Sequence, residues 1–289
     1  MFHFGMSDQG IKLNRFASKA AVSVEIAQDI VEYAASCIRD KGSFHIAWSG
    51  GSLPAIVCER LARQPLVAEI DWSKWHIWLV DERCVSLDHA DSSWRLVQEH
   101  LLSREGVSIP SENLHPLPKC ARFAVAPVAT GHTGDAERLV KQAAEEYVTE
   151  MLLSIATKSN GMPVLDLCLL GFGPDGHTAS LFPGRDHDDE RYTKAGGAFL
   201  RSPSVMTYVT DSPKPPPMRI TMSLSCILAS RKICVVGCGR DKALVLQGVF
   251  KDGTMGSLGV GPVLTIAKVI FQHTNISMWT DDAACELLH

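Results

Sequence analysis

Five short, nearly unbroken apolar runs constrain what this chain can fold into: 44-FHIAW-48, 75-WHIWLV-80, 164-VLDLCLL-170, 232-KICVVGC-238 and 276-ISMW-279. A strand with one wet face alternates apolar and polar residues. A strand covered on both faces does not, because both sides of its pleat meet core. The intervening segments are helix-like. Over residues 134–156, Leu139, Ala143, Tyr147 and Met151 recur every four positions with Glu and Lys between them, the stripe of an amphipathic helix. Further helices are expected over Ser52–Ala62, Ser92–Leu102 and Asp241–Phe250, and from near Pro262. Strands alternating with helices predict an α/β fold: a doubly wound, mostly parallel sheet with helices on both faces, Rossmann-like in outline. The Pro-rich piece 213-PKPPPMR-219 is too short and apolar-flanked to be a linker, so 1–289 reads as one α/β domain, with residues 1–15 an unassigned N-terminal extension.

Composition removes several function classes. The formal charge of −4, with 46% hydrophobic and 21% charged residues, creates no field that would draw nucleic acid or an acidic membrane. No apolar run approaches the roughly 18 residues of a membrane helix. The opening MFHFGMSDQGIKLNRF lacks the basic and apolar regions of a secretory signal. Nine cysteines sit mostly within apolar runs, without CxxC or Cys/His ligand spacing. They read as reduced, buried thiols of a cytoplasmic protein, and no metal site is expected.

In a doubly wound sheet, ligands bind beyond the carboxyl ends of the strands, so the loops there are where chemistry is expected. After the first run, 49-SGGSLPAI-56 places Gly50 and Gly51 before a helix that Ser52 can cap. It is either a plain tight turn or an anion seat, with backbone N–H groups and the positive helix end facing one way. It matches neither the dinucleotide nor the Walker glycine spacing. After the second run, 81-DERC-84 offers Arg83 as a permanently charged fork for a phosphate or carboxyl oxygen, or else a solvated strand end. After the third comes 171-GFGPDGHTASLFPG-184, whose ionisable groups are Asp175 and His177. A histidine, with an ordinary pKa of about 6.5, is suited to take and return a proton near neutral pH, and a nearby carboxylate can orient it. The alternative is a structural turn; one His and one Asp are too few ligands for a metal. Residues 178–180 are expected to begin a helix. Downstream, Arg219 follows three prolines, and Lys242 follows 237-GCGR-240 at a helix start, where a cation is disfavoured unless an anion lies nearby.

Together, 49-SGGS-52, 81-DER-83, 171-GFGPDGHTASLFPG-184, 212-SPKPPPMRIT-221 and 237-GCGRDK-242 resemble, in that order, the motifs of the 6-phosphogluconolactonases. The resemblance implies hydrolysis of 6-phospho-D-glucono-1,5-lactone to 6-phosphogluconate, without metal or organic cofactor. It also implies a fold related to glucosamine-6-phosphate deaminase. By similarity, His177 is the general base and Asp175 its neighbour, while Gly50, Gly51, Ser52, Arg83, Arg219 and Lys242 hold substrate oxygen and phosphate. The expected partner is a small phosphorylated sugar lactone, with no nucleic acid or membrane, and the chain is expected to be a monomer or weak homodimer. No role carries over to 186-DHDDERY-192.

An amino-sugar-phosphate isomerase or deaminase is the nearest rival. That branch typically has a glutamate before the proline after Gly-His, where this chain has Thr-Ala-Ser-Leu-Phe-Pro, and Asp-Glu-Tyr where this chain has Asp81-Glu82-Arg83. A non-catalytic sugar-phosphate sensor would keep the anion seat but has no need of both Asp175 and His177. A dinucleotide-dependent dehydrogenase lacks its glycine spacing here.

Overall fold

The computed structural model describes residues 2–4, 11–123, 133–184, 204–250 and 264–288. Its strands are β1 (Phe2–Phe4), β2 (Lys12–Phe16), β3 (Phe44–Trp48), β4 (Trp75–Leu79), β5 (Asp81–Arg83), β6 (Lys158–Ser159), β7 (Met162–Pro163), β8 (Leu167–Leu170), β9 (Met206–Val209), β10 (Arg219–Met222), β11 (Lys232–Gly237) and β12 (Ile276–Asp281). The main sheet runs in the order β1-β2-β12-β11-β8-β3-β4. Every pair in it is parallel except the edge pair β1–β2. The expected doubly wound architecture is present.

Unbroken apolar strands follow from burial on both faces. Along β3, Phe44, Ile46 and Trp48 pack into one core, with α1 (Lys19–Lys41) and α2 (Leu53–Leu61); Ala47 points into the other. In β8, Leu167 and Leu169 face the first core and Cys168 and Leu170 the second. The second core is closed by the amphipathic helix seen in the sequence, Thr133–Ser154, through Val140, Ala143, Ala144, Tyr147 and Met151.

The structure departs from the sequence reading at several elements. Residues 1–15 are not merely an extension, because β2 pairs in parallel with β12, Lys12 beside Ser277 through Phe16 beside Asp281. The 23-residue helix α1 was not anticipated; Ser18 caps it, its Oγ accepting from Ala21 N. Arg219–Met222 and the Asp81–Arg83 loop form part of a second, antiparallel sheet, β5-β10-β9. A one-residue break at Val80, whose N–H bonds Trp48 O, lets the chain leave the main sheet before β5. The helix expected near Pro262 begins at Thr265, and Pro262 itself and 186–192 lie outside the described residues.

Candidate active site

The loops carrying the expected chemistry follow β3, β4, β8 and β11, which are neighbours in the sheet order β11-β8-β3-β4. They therefore emerge side by side. Between β3 and β8, which run parallel, the winding order reverses: β3 to β4 proceeds toward one edge and β8 to β11 to β12 toward the other, leaving the crevice where ligands bind in such sheets. Ser49 N donates to Leu169 O across that crevice, tying the Gly-Gly loop to the strand that feeds the histidine turn.

The histidine turn is tightly specified. Gly173 N donates to His177 O and Gly176 N to Gly173 O. Thr178 Oγ1 donates back to Gly171 O at 2.7 Å. No helix begins at 178–180, contrary to expectation. Ala179 adopts φ +51 and Leu181 N closes onto Thr178 O, a turn that a helix start cannot contain. His177 Nδ1 lies 2.5 Å from Asp175 Oδ1. Lys214 Nζ lies 3.1 Å from that same oxygen and 3.3 Å from His177 Nδ1. Burial alone would raise the Asp175 pKa. The hydrogen bond and charge of His177, with those of Lys214, outweigh it and hold the carboxyl well below the ordinary carboxylate range. An ionised carboxylate only accepts, so the imidazole hydrogen belongs on Nδ1 and Nε2 is left as the basic nitrogen. The Phe182 ring stacks on the imidazole with centroids 4.8 Å apart. Behind it, a Cβ at Gly173 would sit 2.1 Å from His177 Cε1 and 2.4 Å from Asp175 Oδ1, so that position needs glycine.

Ser180 fastens this turn to the small sheet: its Oγ donates to Asp81 Oδ2 at 2.7 Å, and its N to Thr221 Oγ1 at 3.3 Å. In that sheet Arg83 stands directly opposite Arg219, so both side chains project from one face. Two guanidinium groups on one face repel, and burial followed by the Arg83 charge pulls the Arg219 pKa down. Arg83 Nη1 donates to Asp91 O at 2.7 Å, but its buried Nε has no partner. Arg219, expected among the substrate ligands, is only 2% exposed. It donates from Nε to Pro216 O, from Nη1 to Ser180 Oγ, and from Nη2 to the carbonyls of Lys214 and Pro215. Its fork is occupied by the protein's own loop.

Further unpartnered donors flank the Gly50–Ser52 loop. Ser49 and Ser93 each hold a buried hydroxyl with no hydrogen-bond partner. Gly50 lies against Ser93, where a Cβ would come 2.3 Å from Ser93 Oγ. Ser52 does not cap α2 as expected: it already has helical angles, φ −79 and ψ −11, so its hydroxyl cannot reach back and remains exposed beside Gly51. Glu82 fixes the register between this loop's neighbours. Fully buried, it accepts from Arg83 N, Ser92 Oγ, Ser93 N and Trp94 N, at 2.7 to 2.9 Å, and burial raises its pKa against those donors. Lys242 pairs with Asp241 Oδ2 at 2.8 Å, and its Nζ lies 5.8 Å from the Phe172 ring centroid, across from the histidine turn. Among the described residues, no group of three His, Cys, Asp or Glu side chains could hold a metal ion, and no helix is long and apolar enough to cross a membrane.

Sequence reasoning gave no role to Lys214, Ser180, Phe182 or Glu82. Ser180 and Phe182 lay inside the quoted histidine motif and Lys214 inside the proline motif, so their positions were visible. The partners of Ser180 (Asp81, Arg219 and Thr221) and the carboxylate that Lys214 meets (Asp175), 39 or more residues away in the chain, were not.

A family profile described as glucosamine-6-phosphate isomerases/6-phosphogluconolactonase matches residues 17–271. A relative from Arabidopsis thaliana named probable 6-phosphogluconolactonase 4 is 37% identical over 237 residues, 81% of this chain and 82% of its own. A rice relative (Oryza sativa subsp. indica) named probable 6-phosphogluconolactonase 4, chloroplastic, is 33% identical over 273 residues, covering 94% of this chain and 75% of its own. The solved 6-phosphogluconolactonase of Trypanosoma brucei superposes with a TM-score of 0.75 at 27% identity, over 96% of this chain and 98% of the other. The fold, the crevice between β3 and β8, and these matches along nearly the whole chain agree: the protein belongs to the glucosamine-6-phosphate isomerase/6-phosphogluconolactonase family.

Proposed function

We propose that this site hydrolyses 6-phospho-D-glucono-1,5-lactone to 6-phosphogluconate, with His177 as general base. The observation that carries the assignment of the base is the Asp175–His177 pair, with Nδ1 engaged and no hydrogen bond to Nε2 among the described residues, on a glycine turn at the sheet's switch point. The lactonase names of relatives covering most of the chain support the substrate. In the proposed step, Nε2 takes a proton from water while the oxygen bonds to the lactone carbonyl carbon. The tetrahedral oxyanion collapses, the bond from carbon to ring oxygen breaks, and the imidazolium returns its proton to that oxygen as it becomes a hydroxyl. Base catalysis of this kind contributes roughly 10²–10⁴-fold. The phosphate is assigned to the donors that lack protein partners, Ser49 Oγ, Ser93 Oγ and Arg83 Nε, with the N–H groups of Gly50 and Gly51, Ser52 and Lys242. Arg219 is assigned a supporting place beneath them.

Hydrolysis is measured by coupling to oxidation of the product, with correction for spontaneous opening. His177→Ala is expected to lower kcat by about 10²–10⁴-fold with a small change in KM. Near-normal kcat in that variant removes the base assignment, and equal kcat/KM on phosphorylated and unphosphorylated lactone removes the phosphate seat. The reading includes turnover without metal, checked by unchanged activity after dialysis against a chelator. It also includes a cytoplasmic location, supported by nine free cysteines and checked by fractionation.

A further inference from the structure

The edge of the His177 ring is held by more than Asp175. Gly173 lies against the Cε1 and Nδ1 atoms of the imidazole and Phe182 stacks on the ring, so its remaining freedom is limited by what grips Nδ1. That grip depends on a single carboxylate oxygen, on a side chain 42% exposed and therefore free to turn toward water unless something holds it. Lys214 Nζ reaches that oxygen at 3.1 Å. The lysine's own backbone is pinned on both sides: Ser212 Oγ accepts from Lys214 N and donates to Lys214 O, and Arg219 Nη2 donates to the same carbonyl at 2.8 Å. Three prolines follow it, each with its φ fixed. Arg219 is thus buried under a loop whose product is the location of one ammonium group. The 3.3 Å approach of Nζ to Nδ1 is not a hydrogen bond, since both atoms bear hydrogens. It is the consequence of two donors sharing one acceptor.

We infer that Lys214 is a positioning residue for the hydrolysis: it anchors Asp175, and through it fixes the His177 ring in line with the reacting water. The inference rests on His177 being the base. The other charged groups around the ring act at one remove: Arg219 lies 5.8 Å from the Phe182 ring, and Asp81 is tied to Ser180.

The test compares Lys214→Met, Lys214→Gln and Lys214→Arg in the full chain. K214M is expected to lose about 10–100-fold in kcat, the effect of a slightly misplaced catalytic group, with KM changed less than about threefold. K214R is expected to recover most of the rate. In an Asp175→Asn background, K214M is expected to cost less than about twofold more, because a residue acting through Asp175 has nothing left to act on. Independently of turnover, the His177 Nδ1–H proton is expected as a far-downfield NMR resonance in the wild type and K214R, and broadened away in K214M. Unchanged kcat and resonance in K214M overturn the inference. So does a raised KM with kcat kept, which makes Lys214 a substrate ligand, or an equal loss with and without Asp175. Lys214 is 39% exposed, and K214Q keeps a donor should K214M not fold. If the wild type fails to open the lactone, the functional reading fails, while the NMR arm still decides whether Lys214 holds the pair.

Discussion

At the scale of single residues, the pair Asp175–His177 is formed by exclusion as much as by attraction. Gly173 leaves room for the imidazole where any side chain would collide with it. Gly173→Ala is expected to cost about 1–3 kcal/mol by overpacking and to displace the pair, so that kcat falls at least tenfold at temperatures where the variant remains folded. Thermal unfolding with parallel kinetics checks this; a stable, fully active alanine variant contradicts it. The histidine and aspartate were legible in the sequence because they lie two positions apart in one turn. Lys214, 37 residues beyond His177, was not: nothing local in 212-SPKPPPMR-219 says which carboxylate its ammonium meets.

The element that most affects the site is the small sheet β5-β10-β9. It puts Arg83 opposite Arg219, receives the histidine turn through Ser180, and supports the Lys214 loop through Arg219. Arg219→Met keeps bulk but leaves the carbonyls of Pro215 and Pro216 without their donor and that of Lys214 with Ser212 Oγ alone. That loss is expected to destabilise the protein by roughly 1–3 kcal/mol and lower kcat, with KM moving little. A large rise in KM at constant kcat would instead place Arg219 on the substrate. The sheet escaped sequence reading for a physical reason. Its strands are three and four residues long, and one begins two residues after β4, so no pattern separates them from loop. The helix α1, by contrast, was legible: Val22, Ile26, Ile30 and Ala34 recur every four positions along its buried face, the same periodicity that marked residues 134–156.

Across the whole molecule, the sheet separates chemistry at its carboxyl ends from a histidine cluster near its amino ends. His45 and His76 stack at 4.2 Å, His115 stacks on Trp78 at 3.5 Å, and Trp78 Nε1 donates to His45 Nδ1. Burial, then neighbouring His115 and Lys41, lowers the His76 pKa to about 4; burial, then His76, Lys41, His115 and Lys158, lowers His45 to about 2. The charged groups bound next to them are Glu150, on His115 Nδ1, and Asp166, which accepts from His45 N and Lys41. Unfolded histidine binds its proton near pH 6.5 and folded His45 and His76 do not, so stability present above that pH is lost as pH falls toward 4, by up to about 1.4 kcal/mol per pH unit for each of the two. Urea unfolding at pH 7.5, 6 and 5 checks this: His76→Asn is expected to flatten the slope, and equal slopes in both proteins refute it. His45 and His76 belong to the same runs that announced the fold. Apolar, unbroken strands can persist only with both faces covered, so the parallel sheet and its switch-point loops followed from local composition and spacing. Which oxygen Lys214 grips, which guanidinium is buried and which hydroxyls stay unpartnered depend on contacts between segments distant in the chain, and only packing brings those together.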